Sequence, residues 1–140
     1  MNYNITNLTQ VADCDAMLTW TGNEKVDLLL KKSVEERAIV KFSMNSTEIE
    51  ALLQSTIAEI AVYDSIIPDL PEGSFKAEQI RKRRVADNRK FMLENRRESY
   101  GAIALLQKQL EVAVVEHEIA ELDVLITGIE AHRATLIAAA

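Results

Sequence analysis

The strongest constraint on the fold is one break near the middle of the chain, the segment SIIPDLPEGS at residues 65–74. It holds the only two prolines of the sequence, together with a glycine and an aspartate. Proline lacks an amide hydrogen and its ring clashes with the preceding helical turn, so no continuous helix passes through this segment. The long stretches on either side show no strand-like alternation. The sequence therefore predicts long helices on both sides of a loop at 66–74, which makes an antiparallel hairpin.

The amino-acid composition favours an all-α protein. Of the 140 residues, 48% are hydrophobic and 27% are charged, which is too apolar for a disordered chain. Four glycines and two prolines are too few for the many turns of an all-β fold. A chain of this length fits one domain, so we expect residues 1–140 to form a single helical domain.

A second break is predicted at Gly22. Thr21 and Glu24 have the spacing of a capping box, in which two side chains satisfy the free amide groups at the start of a helix. Together the two breaks predict three helices, a short N-terminal one at 9–20 and two long ones at 24–65 and 75–139. The short helix is expected to continue into the second beyond a kink.

Two features leave the straightness of the long helices open. Asn45 and Glu48 repeat the capping-box spacing, so the second helix is either kinked at 43–47 or unbroken. Gly101 lies inside the third helix, where it predicts either a kink or the close approach of another helix. With the hairpin folded about Leu70, residue i is expected to face residue 140 − i.

The third helix carries two apolar stripes on different sides, and one partner helix cannot cover both. The first stripe has the three-and-four spacing of a helix-packing seam, and it consists of Ile103, Leu106, Leu110, Ala113, His117, Ala120 and Val124. The second consists of Leu105, Val112, Val115, Ile119, Leu122, Ile126 and Ile129. We expect the second stripe to be a self-association surface that joins two coiled-coil-like hairpins into a dimeric helical bundle. The alternative is that this stripe binds another protein.

Eight basic side chains cluster between Arg81 and Arg97. Six of them recur every seven residues in two columns, and this spacing predicts a positive ridge on one side of the helix. Three alternatives follow for the ridge: ion pairs with the acidic second helix at Glu48, Glu50 and Glu59, an acidic protein partner, or a phosphate backbone. The two columns are Lys82, Arg89 and Arg96, and Arg83, Lys90 and Arg97.

The net charge and the cysteine content limit which binding partners and which cellular compartment we expect. The net charge is −6, which disfavours a general affinity for nucleic acids or anionic membranes. Cys14 is the only cysteine, so no disulfide within the chain can form. No stretch approaches 18 apolar residues, and the N-terminus has no leader-like pattern. We therefore expect a cytoplasmic protein with no membrane partner.

The sequence lacks the patterns of the common enzyme classes. It has two histidines, no glycine-rich phosphate loop and no nucleophile elbow. His117 falls on an apolar stripe, where an interface residue is expected rather than a metal ligand. Cys14 lies between two aspartates, whose charge disfavours a reactive thiolate. The sequence predicts no catalytic residue, no metal and no cofactor.

Together these features predict a non-enzymatic coiled-coil module for protein–protein interaction, acting as an adaptor, an assembly component or a chaperone-like partner. We expect it to bind a second copy of itself and another protein. The alternative prediction is a nucleic-acid-associated factor that uses the basic ridge at 81–97.

Overall fold

The computed structural model describes all 140 residues, and 91% of them are helical with no strands. Three α-helices span most of the chain: α1 at Val11–Ile66, α2 at Ser74–Tyr100 and α3 at Ala102–Ala139. Short 3₁₀ turns lie at Ile5–Asn7 and Ile67–Asp69. The predicted all-α helical hairpin is confirmed.

Two compact units make up the chain. We call Met1–Arg37 with Gln109–Ala140 the terminal unit, and Ala38–Lys108 the central unit. The central unit contains the proline loop, while the terminal unit brings the first and last segments of the chain together.

The predicted break at Gly22 is wrong, because α1 runs through it without interruption. The Thr21 side chain is buried, and its hydroxyl donates to the carbonyl oxygens of Met17 at 2.8 Å and Leu18 at 3.2 Å. A threonine hydroxyl that bonds back along its own helix cannot cap a new one. The segments predicted as helices 9–20 and 24–65 are therefore one helix. It also runs unbroken through 43–47.

The third predicted helix is in fact two, because the chain breaks at Gly101 between α2 and α3. Gly101 has ψ −166°, and a Cβ added there would overlap the carbonyl oxygen of Arg97 and lie 2.8 Å from the Arg97 Cγ. These backbone angles are open to any residue, so it is the close contact with Arg97 that favours glycine here. Of the two alternatives, the structure shows the kink, since the crowding comes from the preceding turn of the same chain.

The hairpin loop has the predicted position. It contains the 3₁₀ turn at Ile67–Asp69, and Gly73 at φ +155° precedes α2. That backbone conformation is open essentially to glycine alone. The Gly73 carbonyl accepts from the Ala77 amide at 3.1 Å, which closes the first turn of α2.

The core of the central unit is a narrow seam between α1 and α2. It buries residues at steps of three, four and seven, the spacing that keeps one face of each helix against the other. Phe42 and Tyr100 add a tilted aromatic contact with ring centroids 5.3 Å apart. The buried residues are Ile49, Leu53 and Thr56 of α1, and Gln79, Ala86 and Leu93 of α2.

The core of the terminal unit lies between the first part of α1 and α3. It buries Cys14 and Thr21 of α1 against a face of α3 that includes Val115 and Ile129. The N-terminal segment folds onto α3, where the Leu8 carbonyl lies 2.7 Å from the Nε2 atom of His132. A Cβ at Gly128 would lie 2.6 Å from the Cδ1 atom of Ile5, so this glycine admits the N-terminal turn.

Ion pairs fix the register of α1 against α3 in the terminal unit. Asp15 pairs with Arg133 at 2.6 Å, Lys25 with Asp123 at 2.5 Å, and Lys32 with Glu116 at 3.3 Å. Residue i therefore meets residue 148 − i, which corrects the predicted 140 − i. Side chains lean towards the N-terminus of their own helix by about one position each, which accounts for about two residues of this difference.

Candidate functional site

The two basic columns of α2 lie on either side of its buried seam in the central unit. Gln79, Ala86 and Leu93 point into the core, and at about 100° per residue the columns fall on the two flanks of that line. The single continuous ridge that the sequence predicted is therefore divided by the helix contact. Both columns occupy positions from which a long side chain can reach the neighbouring helix.

Three of the six column residues form ion pairs with α1. Arg83 Nε lies 2.6 Å from Asp64 Oδ1, Arg89 Nη1 lies 3.0 Å from Glu59 Oε2, and Arg97 Nη1 lies 3.6 Å from Glu50 Oε1. The hydrogen bond to Asp64 raises the pKa of the Arg83 guanidinium. These contacts are of the kind expected if the basic residues pair within the hairpin. Glu50 and Glu59 pair as that alternative named them, whereas Arg83 pairs with Asp64, and Glu48 forms no ion pair with α2.

The other three column residues form no ion pair with α1. Lys90 lies 3.9 Å from Glu94 along the same helix, while Lys82 and Arg96 form no ion pair within 4.0 Å. Arg81, beside the columns, is held by Glu78 at 2.6 Å, and this contact lowers the pKa of the Glu78 carboxyl. Most of the positive charge of α2 is thus matched inside the central unit.

The structure exchanges the roles of the two apolar stripes on α3. In the stripe assigned to self-association, Val112, Val115 and Ile129 are buried, and Leu105, Ile119, Leu122 and Ile126 are half-buried. These residues are covered within the chain, so assigning them to a second copy was a misassignment. The physical reason is size, since this stripe has a large aliphatic residue at every position and its burial removes more apolar surface from water.

The first stripe is the one left exposed. In the terminal unit Leu110 is 65% exposed and Val124 is 59% exposed, and Ala113, His117 and Ala120 between them are exposed as well. Ile103 and Leu106, which belong to the central unit, are also open to solvent. We call Leu110, Ala113, His117, Ala120 and Val124 the outer face of α3, because helical geometry puts them on the side away from the buried seam.

An open groove of about 350 Å³ lies in the terminal unit beside Trp20. Its floor is apolar, its rim carries carboxylates, and Trp20 is 54% exposed in its wall. The Tyr3 hydroxyl donates to Glu121 Oε1 at 2.5 Å, and this hydrogen bond raises the pKa of Tyr3. The groove is lined by Tyr3, Trp20, Glu24, Leu28, Glu118, Glu121, Leu122 and Leu125.

Sequence reasoning missed this groove. Trp20, more than half exposed, forms part of its wall. The available signal was helical spacing, because Trp20 and Glu24 lie four residues apart, as do Glu118 and Leu122. Helical spacing does not predict that the N-terminal segment packs on α3, and this packing brings Tyr3 to Glu121.

The remaining chemistry-bearing side chains are dispersed. Cys14 is buried and forms no disulfide, and the exposed His117 lies between Ala113 and Ala120. No group of three or more histidine, cysteine, aspartate or glutamate side chains is placed to hold a metal ion. None of the helices combines the length and apolar character needed to cross a membrane.

Comparison of the chain with models of protein families, with curated proteins and with solved structures finds no match.

Proposed function

We propose that this chain is a non-enzymatic, cytoplasmic protein–protein interaction module that associates with a second copy of itself through the outer face of α3. It would act as an adaptor, an assembly component or a chaperone-like partner. The observation that carries the proposal is the exposure of the outer face of α3 in the terminal unit, which is apolar except for His117 and lies opposite the buried seam.

Apolar surface in the terminal unit exceeds what its two helices can cover. On α3, Leu110 and Val124 are both more than half exposed. On α1, Val26 and Leu30 are exposed on the side opposite Cys14 and Thr21. Monomeric soluble proteins rarely expose contiguous apolar faces, and those that do commonly use them to bind a partner.

The pattern of the outer face favours a second copy as the partner. The pattern is the same on both sides of His117: an alanine lies three or four residues away, and a large aliphatic residue lies seven residues away. Two antiparallel copies related by a two-fold axis at His117 would set Leu110 against Val124 and alanine against alanine. Such a face is self-complementary, as a two-fold interface requires.

The expected association is weak. Burying Leu110 and Val124, each about 60% exposed, contributes roughly 1–2 kcal/mol per side chain, or about 4–8 kcal/mol for two copies. Association costs at least about 4 kcal/mol in lost translational and rotational freedom. Because these two free energies are similar in size, we expect the dimer to form only at high protein concentration.

Sedimentation equilibrium over a concentration series tests the proposal. The mass is expected to rise from 15.7 kDa towards twice that value, and Leu110→Glu is expected to abolish the rise. Val62→Glu is the matched control, since Val62 is similarly exposed but belongs to the central unit. A monomer at every concentration, or equal loss in both variants, would contradict the proposal.

The alternative function, a nucleic-acid-associated factor using residues 81–97, has less support. Three of its six column residues pair with α1, and Lys82 and Arg96 are the ones without an ion pair. Contacts to a phosphate backbone would make binding fall steeply with salt. Binding of duplex or single-stranded DNA at low salt that is lost in Lys82→Ala with Arg96→Ala would favour this alternative.

A further inference from the structure

The groove beside Trp20 combines three chemical surfaces in one place. Leu28, Leu122 and Leu125 provide an apolar floor, and Trp20 with Tyr3 provides aromatic walls. Its carboxylates come from Glu24, Glu118 and Glu121. Of these, Glu121 accepts a hydrogen bond from Tyr3, whereas Glu24 and Glu118 form no ion pair within the chain.

The chain itself does not neutralise this acidic rim. The terminal unit holds 12 acidic and 5 basic residues, a formal charge of −7, whereas the central unit holds 10 acidic and 11 basic residues, a charge of +1. Three of the five cations of the terminal unit are already bound to carboxylates outside the groove, namely Lys25, Lys32 and Arg133. The uncompensated charge therefore favours a cationic occupant.

An arginine or lysine side chain matches all three surfaces. Its aliphatic stem can lie on leucine while its charged end remains near water. A cation over an indole ring is attracted by the negative face of the ring, and carboxylates form short, charge-assisted hydrogen bonds with it. Arginine fits better than lysine, because its planar guanidinium stacks on aromatic rings and bridges carboxylates with two donors.

We propose that the groove beside Trp20 is a docking site for an arginine-bearing segment of another protein. This inference rests on the proposed function, since it names the chemistry of a partner for the same interaction module. The basic helix of a second copy is the weaker occupant, because Arg83, Arg89 and Arg97 are already paired across their own hairpin and only Arg96 among the column arginines is not.

The single tryptophan makes the site directly observable, because any change in Trp20 emission comes from the groove wall. The probe is an alanine-rich peptide with arginine at every fourth position, and its control is the same peptide with citrulline, which keeps the shape and removes the charge. A saturable emission change is expected with the arginine peptide alone. Raising the salt from low to physiological concentration is expected to weaken binding several-fold.

Two double variants with equal charge change separate this site from general attraction to an acidic protein. Glu24→Gln with Glu118→Gln is expected to weaken binding at least tenfold. Asp27→Asn with Glu130→Gln removes the same charge from the same unit outside the groove, and it is expected to change binding less than twofold. Circular dichroism verifies that both variants fold.

Three results would overturn the inference: equal binding of the citrulline peptide, equal loss in the two double variants, or an emission change that follows protein concentration without peptide. The last would assign the groove to a second copy. Leu110 does not line the groove, so failure here is distinct from failure of the mass measurement that tests the proposed function.

Discussion

The terminal and central units are both two-helix packings with ion pairs between their helices, yet they use their surfaces differently. In the central unit the basic columns of α2 flank the seam and reach α1, so most of the charge is matched internally. In the terminal unit, unmatched carboxylates lie in the groove beside Trp20 and apolar side chains are exposed on the outer face of α3. Unmatched charge is therefore concentrated in the terminal unit, and this is where we propose that the interaction surfaces lie.

The central unit also exposes apolar residues, including Ile103 and Leu106 of the first stripe. Phe91 on α2 is 62% exposed. Helical spacing surrounds it with the polar side chains of Arg84, Asn88 and Asn95. Isolated apolar residues of this kind are normal on protein surfaces.

The largest difference in stability is expected between a substitution in the buried stripe of α3 and one in the exposed stripe. Ile129→Ala, in the buried stripe, is expected to cost about 2–5 kcal/mol of unfolding free energy, because it opens a cavity in the terminal-unit core. Ile103→Ala, at 75% exposure, is expected to cost less than about 0.5 kcal/mol. Urea unfolding in dilute protein measures both. Equal costs would contradict the structure, in which the second stripe is buried and the first is exposed.

Smaller changes in stability are expected at two glycines, and the two changes should have opposite signs. Gly101→Ala in the central unit should destabilise the fold by about 1–3 kcal/mol, because the added Cβ overlaps the Arg97 carbonyl oxygen. Gly22→Ala in the terminal unit meets nothing within 4 Å and should stabilise α1 by about 0.5–1 kcal/mol. Thermal unfolding of the two variants tests this. A stabilised Gly101→Ala variant would show that α2 and α3 can join into one helix.

These two glycines show where sequence reasoning ends. The hairpin was predictable because the prolines forbid helix at 65–74 whatever surrounds them. Gly22 and Gly101 carry the same local signal, and their different outcomes depend on tertiary packing. The same holds for the stripes of α3, since helical spacing shows that two exist and only packing decides which is buried. The groove required a contact between Tyr3 and Glu121, 118 residues apart.

The smallest effect is expected from the ion pairs of the central unit. Arg89→Ala should cost less than about 1 kcal/mol, because its contact with Glu59 is exposed to solvent. A double-mutant cycle with Glu59→Ala isolates the pair, and Arg96→Ala serves as the variant without an ion pair. A coupling energy well above 1 kcal/mol would make these contacts principal determinants of the hairpin rather than an aid to its register.

Cysteine cross-linking tests the central claim most directly, because it reports whether the outer face of α3 meets itself. In a Cys14→Ser background, His117→Cys places a thiol at the proposed two-fold axis, while Glu130→Cys places one on another exposed part of the same helix. We expect rapid formation of a disulfide-linked species of twice the 15.7 kDa chain mass for His117→Cys only. Cross-linking of His117→Cys no faster than that of Glu130→Cys would contradict the account.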